Sequence, residues 1–187
     1  MLARKASAAL AAGCTFVVKP SEDTPYSTLA FGKLAEIAGL PAGCVNIVTT
    51  SKQNTPLVGK ALCEHPVVKK VGFTGSTGVG KLIMANCANT VKKMQLELGG
   101  NAPFIVFDSA DVQKAVAGVI GSKFRCSGQT CICANRILVQ EGIHEEFVAA
   151  LTKAMKEQLR CGNGFEKDTT QGPLISQNSI DKVYYFK

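Results

Sequence analysis

Cys131 closes the stretch Phe124-Arg125-Cys126-Ser127-Gly128-Gln129-Thr130-Cys131, and Glu97 stands 34 positions upstream in Glu97-Leu98-Gly99-Gly100. A thiol behind a Gly-Gln-Thr turn is a candidate nucleophile. Attack on a carbonyl needs the thiolate, so local surroundings must lower the thiol pKa. A carboxylate closing an apolar strand is a candidate general base, because partial desolvation raises its pKa toward the value a base needs. Each has a plainer reading. Cys131 also reads as a buried inert cysteine, and Glu97 as a solvent-facing strand end. Cys133 is near enough in sequence to close oxidatively onto Cys131, or it is simply a core position.

Further upstream runs Phe73-Thr74-Gly75-Ser76-Thr77-Gly78-Val79-Gly80-Lys81. Small residues between a strand and a helix start let backbone N–H groups approach a phosphate, aided by the helix dipole. Gly75-x-x-x-x-Gly80-Lys81 fits most of a nucleoside-triphosphate loop, but Leu82 stands where Ser or Thr would hold magnesium. A nucleotidase is therefore the weakest of the enzyme readings. The loop also departs from the Gly-x-Gly-x-x-Gly dinucleotide spacing, so an ordinary tight turn stays open beside phosphate binding. Lys19-Pro20-Ser21-Glu22 follows an earlier strand. A lysine and a carboxylate there suit ribose hydroxyls, or form a solvated turn.

These segments need elements to hold them. Residues 2–12 form an alanine-rich helix stopped at Gly13. Cys14–Val18 is a short strand. Pro25 opens a helix to Ile37 that Gly39 ends. Val45–Val48 is a strand, 54–64 a helix, Lys70–Thr74 a strand, and a helix runs from the glycine loop to Ala88. Met94–Glu97 is the fourth strand. After Gly100 follow a strand over Pro103–Phe107 and a helix from Asp111 to Phe124 capped by Asp108 or Ser109. A strand over Ile137–Val139 and a helix over His144–Leu159 complete the series. Alternation of this kind predicts an α/β fold: a Rossmann-like parallel sheet, then part of an α/β catalytic domain. The boundary falls near residue 98, giving 1–98 and 99–187, both expected to be incomplete.

The bulk composition fits a soluble globular chain. It has 187 residues, 46% hydrophobic and 19% charged. Apolar runs are too short to span a membrane as helices. Met1-Leu2-Ala3-Arg4-Lys5 and the alanines after it read as amphipathic helix rather than an import signal. The net charge of +7 is dispersed. Pairs such as Lys69-Lys70 and Lys92-Lys93 lack interleaved aromatics, which argues against a nucleic-acid surface. A positive field suits an anionic substrate and a dinucleotide. The eight cysteines include no Cys-x-x-Cys, and the two histidines lack metal-type spacing, so no metal site is expected. Cys14, Cys63 and Cys87 read as buried small hydrophobes in a reducing compartment.

Taken together, Lys19-Pro20-Ser21-Glu22, Phe73-Thr74-Gly75-Ser76-Thr77, Glu97-Leu98-Gly99-Gly100 and Gly128-Gln129-Thr130-Cys131 resemble the NAD(P)-dependent aldehyde dehydrogenase superfamily in order and spacing. Met1-x-x-Arg4-Lys5, Asn101 to Ala110, Ser122 to Arg125 and Cys131-Ile132-Cys133 resemble its branch that oxidises succinate semialdehyde. The resemblance implies roles. Cys131 would be the nucleophile, its N–H part of the oxyanion site, and Glu97 the base that activates water. Lys19, Pro20, Ser21 and Glu22 would lie along the adenosine ribose. Gly75, Ser76, Thr77, Gly78, Val79 and Gly80 would lie near the pyrophosphate, Ser76 in direct contact. Arg4 and Arg125 would bind the substrate's distal carboxylate, and Cys133 would be a redox-switch partner of Cys131. The cofactor would be NAD, favoured by Glu22, with NADP kept open by Lys19.

The same resemblance implies a homo-oligomer, a tetramer, in the full-length relatives. It implies a mitochondrial matrix location, with the cytoplasm as alternative, and a place in 4-aminobutyrate breakdown. Cys126 stands where that branch usually has asparagine. The superfamily's oxyanion asparagine, nicotinamide-ribose glutamate, substrate-site serine and assembly strand fall outside the matched stretch. The ending Val183-Tyr184-Tyr185-Phe186-Lys187 shows no turn or cap. The expectation is a fragment, with an inactive truncated product, or an aldehyde dehydrogenase of other substrate preference, as alternatives.

Overall fold

Helices and parallel strands alternate from the first residues of the computed structural model, which describes residues 1–185. Two compact units are present, Met1–Leu98 and a second that begins at Gly99. The first contains α1 (Leu2–Ala11), β1 (Phe16–Val18), α2 (Tyr26–Ile37), β2 (Val45–Ile47), α3 (Thr55–Glu64), β3 (Lys70–Thr74), α4 (Thr77–Ala88) and β4 (Lys93–Glu97). Both early helices stop on glycine. Gly13 has φ of 73° and Gly39 of 77°. After α1 the N–H groups of Gly13 and Cys14 return to the carbonyls of Leu10 and Ala9, and after α2 those of Gly39 and Leu40 return to Glu36 and Ala35. This double bond pattern needs a left-handed residue, which glycine adopts without a Cβ penalty.

Strand β1 pairs in parallel with β2, Phe16 opposite Val45, and β3 with β4, Lys70 opposite Lys93 and Thr74 opposite Glu97. Helices α2 and α4 make the crossovers. The expected parallel arrangement is present, but as separate two-stranded ladders rather than one continuous sheet. β1 and β2 are three residues each, and the packing of α2 against β2 steadies so short a ladder. Burial alternates along β4: Met94 and Leu96 are half-buried, whereas Lys93, Gln95 and Glu97 are exposed.

Where α3 packs on α4, Cys63 and Cys87 are fully buried. Burial, with the Cys87 thiol beside it as the next cause, pushes the Cys63 thiol up to about 11. Cys14 differs from expectation: it is exposed. Its N–H closes the glycine cap of α1, which leaves the residue outside the helix.

The second unit holds β5 (Pro103–Val106), α5 (Val112–Lys123), a 3-10 segment (Arg125–Gly128), β6 (Arg136–Val139), α6 (His144–Gln158) and α7 (Gln177–Tyr185). β5 and β6 pair in parallel, Pro103 opposite Arg136 and Val106 opposite Val139. Val106, Val116, Val119, Phe147 and Ala154 form its core, flanked by Phe104 and Ile137. The cap of α5 is Asp111 itself, whose carboxylate accepts from the Lys114 N–H at 3.0 Å. Asp108 serves elsewhere, its N–H donating to the Gln140 side chain at 2.7 Å. The segment read as an uncapped tail is α7 up to Tyr185, preceded by Ser176, whose carbonyl accepts from Ser179 and Ile180. Tyr184 is exposed; Phe186 and Lys187 lie outside the described residues.

The buried thiol gives a stability test. Below pH 9 both folded and unfolded Cys63 are neutral. Between the ordinary value of 9.0 and the folded value of about 11, the unfolded chain loses the proton and the folded chain keeps it. Stability therefore falls as pH rises through this window, by roughly 2 kcal/mol. Urea midpoints measured from pH 8 to 11 should fall more steeply for the native sequence than for Cys63→Ala. Parallel slopes would refute the assignment.

Candidate active site

The carboxyl end of β1 delivers Lys19, Pro20, Ser21 and Glu22. Pro20 is buried and Ser21 exposed. Lys19 Nζ lies 3.5 Å from Glu22 Oε1 and also donates to the Pro20 carbonyl. Glu22 Oε1 accepts a hydrogen bond from the Thr55 hydroxyl at the start of α3. That bond, more than any other influence, holds the Glu22 carboxyl below its ordinary range, with help from its own backbone N–H and from Lys19. Glu22 is thus an oriented anion at neutral pH. Thr55 was invisible to sequence reasoning, since it sits 33 residues from Glu22 in a different element and forms no motif with it.

The glycine loop joins β3 to α4. Ser76 is the N-cap, its hydroxyl oxygen accepting from the Val79 N–H at 3.4 Å. Among the described residues, the N–H groups of Thr77 and Gly78 have no partner. They are the helix-end donors that an anion would take. Gly80 is buried, and a Cβ there would come within 2.7 Å of the Leu98 side chain. Gly75 donates its N–H to the Glu97 carbonyl at 3.0 Å. The loop and the end of β4 are therefore neighbours.

Glu97 closes β4 with its side chain exposed. The partial desolvation expected for a base is not found here. The alternation of β4 turns positions 93, 95 and 97 to solvent and keeps 94 and 96 inward. A second missed residue lies beside this edge. Lys5 lays its stem over Gly72, where a Cβ would approach within 3.3 Å, and its ammonium donates to the Thr74 hydroxyl. Thr74 is the register partner of Glu97.

In the second unit, the residues before Cys131 form an arch. Cys126 and Ser127 have φ of 50° and 54°, and Gly128 of 76°. Non-glycine residues reach this region only at a cost. The chain then makes a tight turn: the Cys133 N–H donates to the Thr130 carbonyl at 3.0 Å, so Cys131 and Ile132 occupy the corner. Cys131 is exposed, and among the described residues its N–H has no partner. Cys133 is fully buried, its thiol 3.8 Å from the Arg125 carbonyl. The two cysteines are free, one at the surface and one in the core.

Arg4 on α1 and Arg125 in the arch are both exposed, and no described carboxylate pairs with either guanidinium. Each is available to an anion. Arg4, Glu97, the glycine loop and Lys19–Glu22 belong to the first unit; Arg125, Cys131 and Cys133 belong to the second. For a dinucleotide, the fit lies in the first unit. Unpartnered helix-end donors, a loop without bulky side chains and an oriented carboxylate beside a lysine match phosphate and ribose chemistry.

Residues 1–186 match the model of the aldehyde dehydrogenase family. The mitochondrial succinate-semialdehyde dehydrogenase of Mus musculus is 58% identical over 183 residues, covering 98% of this chain and 35% of that protein. Among solved structures, an E. coli NADP-dependent enzyme superposes with a TM-score of 0.95 at 51% identity, covering 98% of this chain and 37% of that one. The succinate-semialdehyde dehydrogenase of Burkholderia pseudomallei gives 0.94 at 50%, covering 99% and 38%. The chain thus spans about a third of the length of the curated relatives it matches. No described helix is long and apolar enough to cross a membrane.

The left-handed backbone at Cys126 has φ of 50°, and nothing in the structure explains a cysteine there. Asparagine tolerates the left-handed region because its short polar side chain bonds locally, and cysteine has no such compensation. Cys126→Asn should raise stability by about 1 kcal/mol, or a thermal midpoint by about 2–4 °C. A calorimetric midpoint that stays put or falls would show that the arch carries no such cost.

Proposed function

The chain belongs to the aldehyde dehydrogenase family, and from that premise we propose that it carries the nucleophile, the base and the dinucleotide-binding residues of an NAD-dependent oxidation of succinate semialdehyde to succinate. On this reading residues 1–98 are part of the NAD-binding domain and 99–187 part of the catalytic domain. The observation that carries it is the presentation of Cys131: an exposed thiol at the corner of a tight turn, with an unpartnered N–H beside it.

Cys131 as thiolate adds to the aldehyde carbon, and the oxygen takes up the electron pair as an alkoxide. The Cys131 N–H is suited to hold that oxygen. A bound NAD, held by Lys19, Glu22, Ser76 and the N–H groups of Thr77 and Gly78, would supply the hydride acceptor for this carbon. The thioester remaining on Cys131 is cleaved by water, from which Glu97 removes a proton, and succinate departs as the thiolate returns. Glu97 is exposed in this chain, so water reaches it freely. Lys19 and Glu22 would hold the adenosine ribose, Ser76 and the N–H groups of Thr77 and Gly78 the pyrophosphate. Arg4 and Arg125 suit the distal carboxylate because a guanidinium fork donates two bonds to one carboxylate. Cys133 would close on Cys131 under oxidation and block the nucleophile. In the full-length protein we place this activity in a homotetramer in the mitochondrial matrix, with the cytoplasm as alternative.

Two measurements test the reading. Incubated with NAD and succinate semialdehyde, the protein should generate reduced cofactor, and Cys131→Ser should lower the rate by about a thousandfold or more. A mutant that keeps the native rate removes Cys131 from the chemistry. Oxidation of an uncharged aldehyde such as hexanal at the same rate would remove the two arginines from substrate selection. For the cofactor, the ionised Glu22 should repel a 2′-phosphate. Calorimetric titration should show NAD binding more tightly than NADP, with Glu22→Gln narrowing the ratio about fivefold, as for a like-charge contact near a surface. Tighter NADP binding by the native sequence would overturn this, and the similarity to an NADP-dependent enzyme makes that arm informative.

A further inference from the structure

The left-handed arch at Cys126, Ser127 and Gly128 is held from one side. Gln129 is the residue at which its bonds converge. The Gln129 Oε1 accepts from the Ile175 N–H at 3.0 Å, and its Nε2 donates to the Cys126 carbonyl at 3.2 Å. Its own N–H returns to the same Cys126 carbonyl at 3.1 Å. A parallel tie joins Ser127 Oγ to the Gly172 carbonyl at 3.1 Å. The segment from Gly172 to Ile175, some 45 residues downstream of the arch, thus lies along it as a strap.

We infer that Gln129 is a positioning residue for Cys131: by bonding Ile175 and Cys126 with one planar amide, it clamps the strained arch and fixes the turn that presents the thiol. Residues in costly backbone regions persist only where their surroundings over-determine them. The arch contains two non-glycine residues in that region, and neither offers a bulky side chain to lock it by packing. Polar ties do that work. The amide geometry is specific: the acceptor faces the strap, the donor faces the arch, and the next residues in the chain are Thr130 and Cys131 of the turn. The inference rests on the reading of Cys131 as the nucleophile for its purpose, but not for its geometry.

Cys133 supplies the readout. It is fully buried against the arch, its thiol directed at the Arg125 carbonyl, so a thiol reagent reaches it only when the arch opens. Iodoacetamide labelling of Cys133, mapped by mass spectrometry, is compared in the native chain, Gln129→Met and Gln129→Glu. Met keeps the bulk and removes both bonds; Glu keeps an acceptor for the Ile175 N–H. Hydrogen exchange of the core helices α5 and α6 is followed alongside. The expected result is Cys133 labelling about twenty-five-fold faster in Gln129→Met, the effect of two lost hydrogen bonds at about 1 kcal/mol each. Gln129→Glu, which keeps the acceptor for Ile175 but loses the donor to the Cys126 carbonyl, should label at least about fivefold faster than native, with core exchange unchanged throughout. Equal labelling in native and Gln129→Met overturns the inference, as does Gln129→Glu labelling at the native rate, because the bond to Cys126 would then hold nothing. Core amides that exchange faster in step with Cys133 overturn it too, because Gln129 then supports the unit rather than the arch. Labelling needs neither aldehyde nor cofactor, so failure here is distinct from failure of the proposed reaction.

Discussion

Parallel pairing of β3 with β4 is the constraint on which the first unit depends. In a parallel ladder both strands finish at the same edge. Thr74 and Glu97 are register partners, and the next residue after Thr74 donates its N–H to the Glu97 carbonyl. One ladder thereby ties the loop that leads into a helix N-terminus to the backbone of Glu97, without any side-chain bond between them. Lys5 secures this edge from the adjoining helix. Its stem lies over Gly72, where a Cβ would come within 3.3 Å of it, and its ammonium reaches Thr74. The β1 edge repeats the logic at smaller scale: Lys19 follows the last strand residue, Val18, and Glu22 turns back to meet both that lysine and the first residue of α3.

The second unit solves a different problem. Cys131 does not follow a strand; it precedes β6, beyond a helix that ends at Lys123. The rule that ligands gather at strand carboxyl ends does not position it. Backbone conformation does. Three successive left-handed residues reverse the chain after α5, and the turn from Thr130 to Cys133 brings it back toward β6. Where β6 begins, the N–H groups of Asn135 and Arg136 both return to the Ala102 carbonyl, so the exit of the loop is as firmly anchored as its entrance is strained.

The elements were legible because their punctuation is local. Gly13 and Gly39 mark helix ends by the one conformation that glycine takes freely, and the period-two alternation of Met94 to Glu97 marks a strand. Strand ends slipped by a residue or two, as at Cys14 and Phe107, because an apolar run does not say where its ladder bonds stop. From sequence, Asp108 or Ser109 looked like the cap of α5, whereas the cap is Asp111. Asp108 instead gives its N–H to Gln140, 32 residues away. The same limit hid Thr55, Lys5 and the Gly172–Ile175 strap. Each acts on a motif from another element, with nothing in its own neighbourhood to announce it. Glu97 is the converse case. Its motif was plain, but the expected desolvation is a property of what surrounds it, and the alternation of its own strand turns it outward.

The cysteines show how burial sorts one kind of side chain into different chemistry. Cys63 and Cys87 lie between helices, where the cost of a buried anion keeps Cys63 protonated up to about 11. A thiol so held is a poor nucleophile at neutral pH. Cys133 is equally buried, but its thiol faces the Arg125 carbonyl at the entrance of a strained arch rather than a helix face. Cys131, two residues earlier, stands at the surface at the corner of a turn. A reagent or a carbonyl arriving from solvent therefore meets Cys131 first, and Cys133 only after the arch has moved. The order of events at this pair is set by backbone strain and burial, before any difference in intrinsic thiol acidity enters.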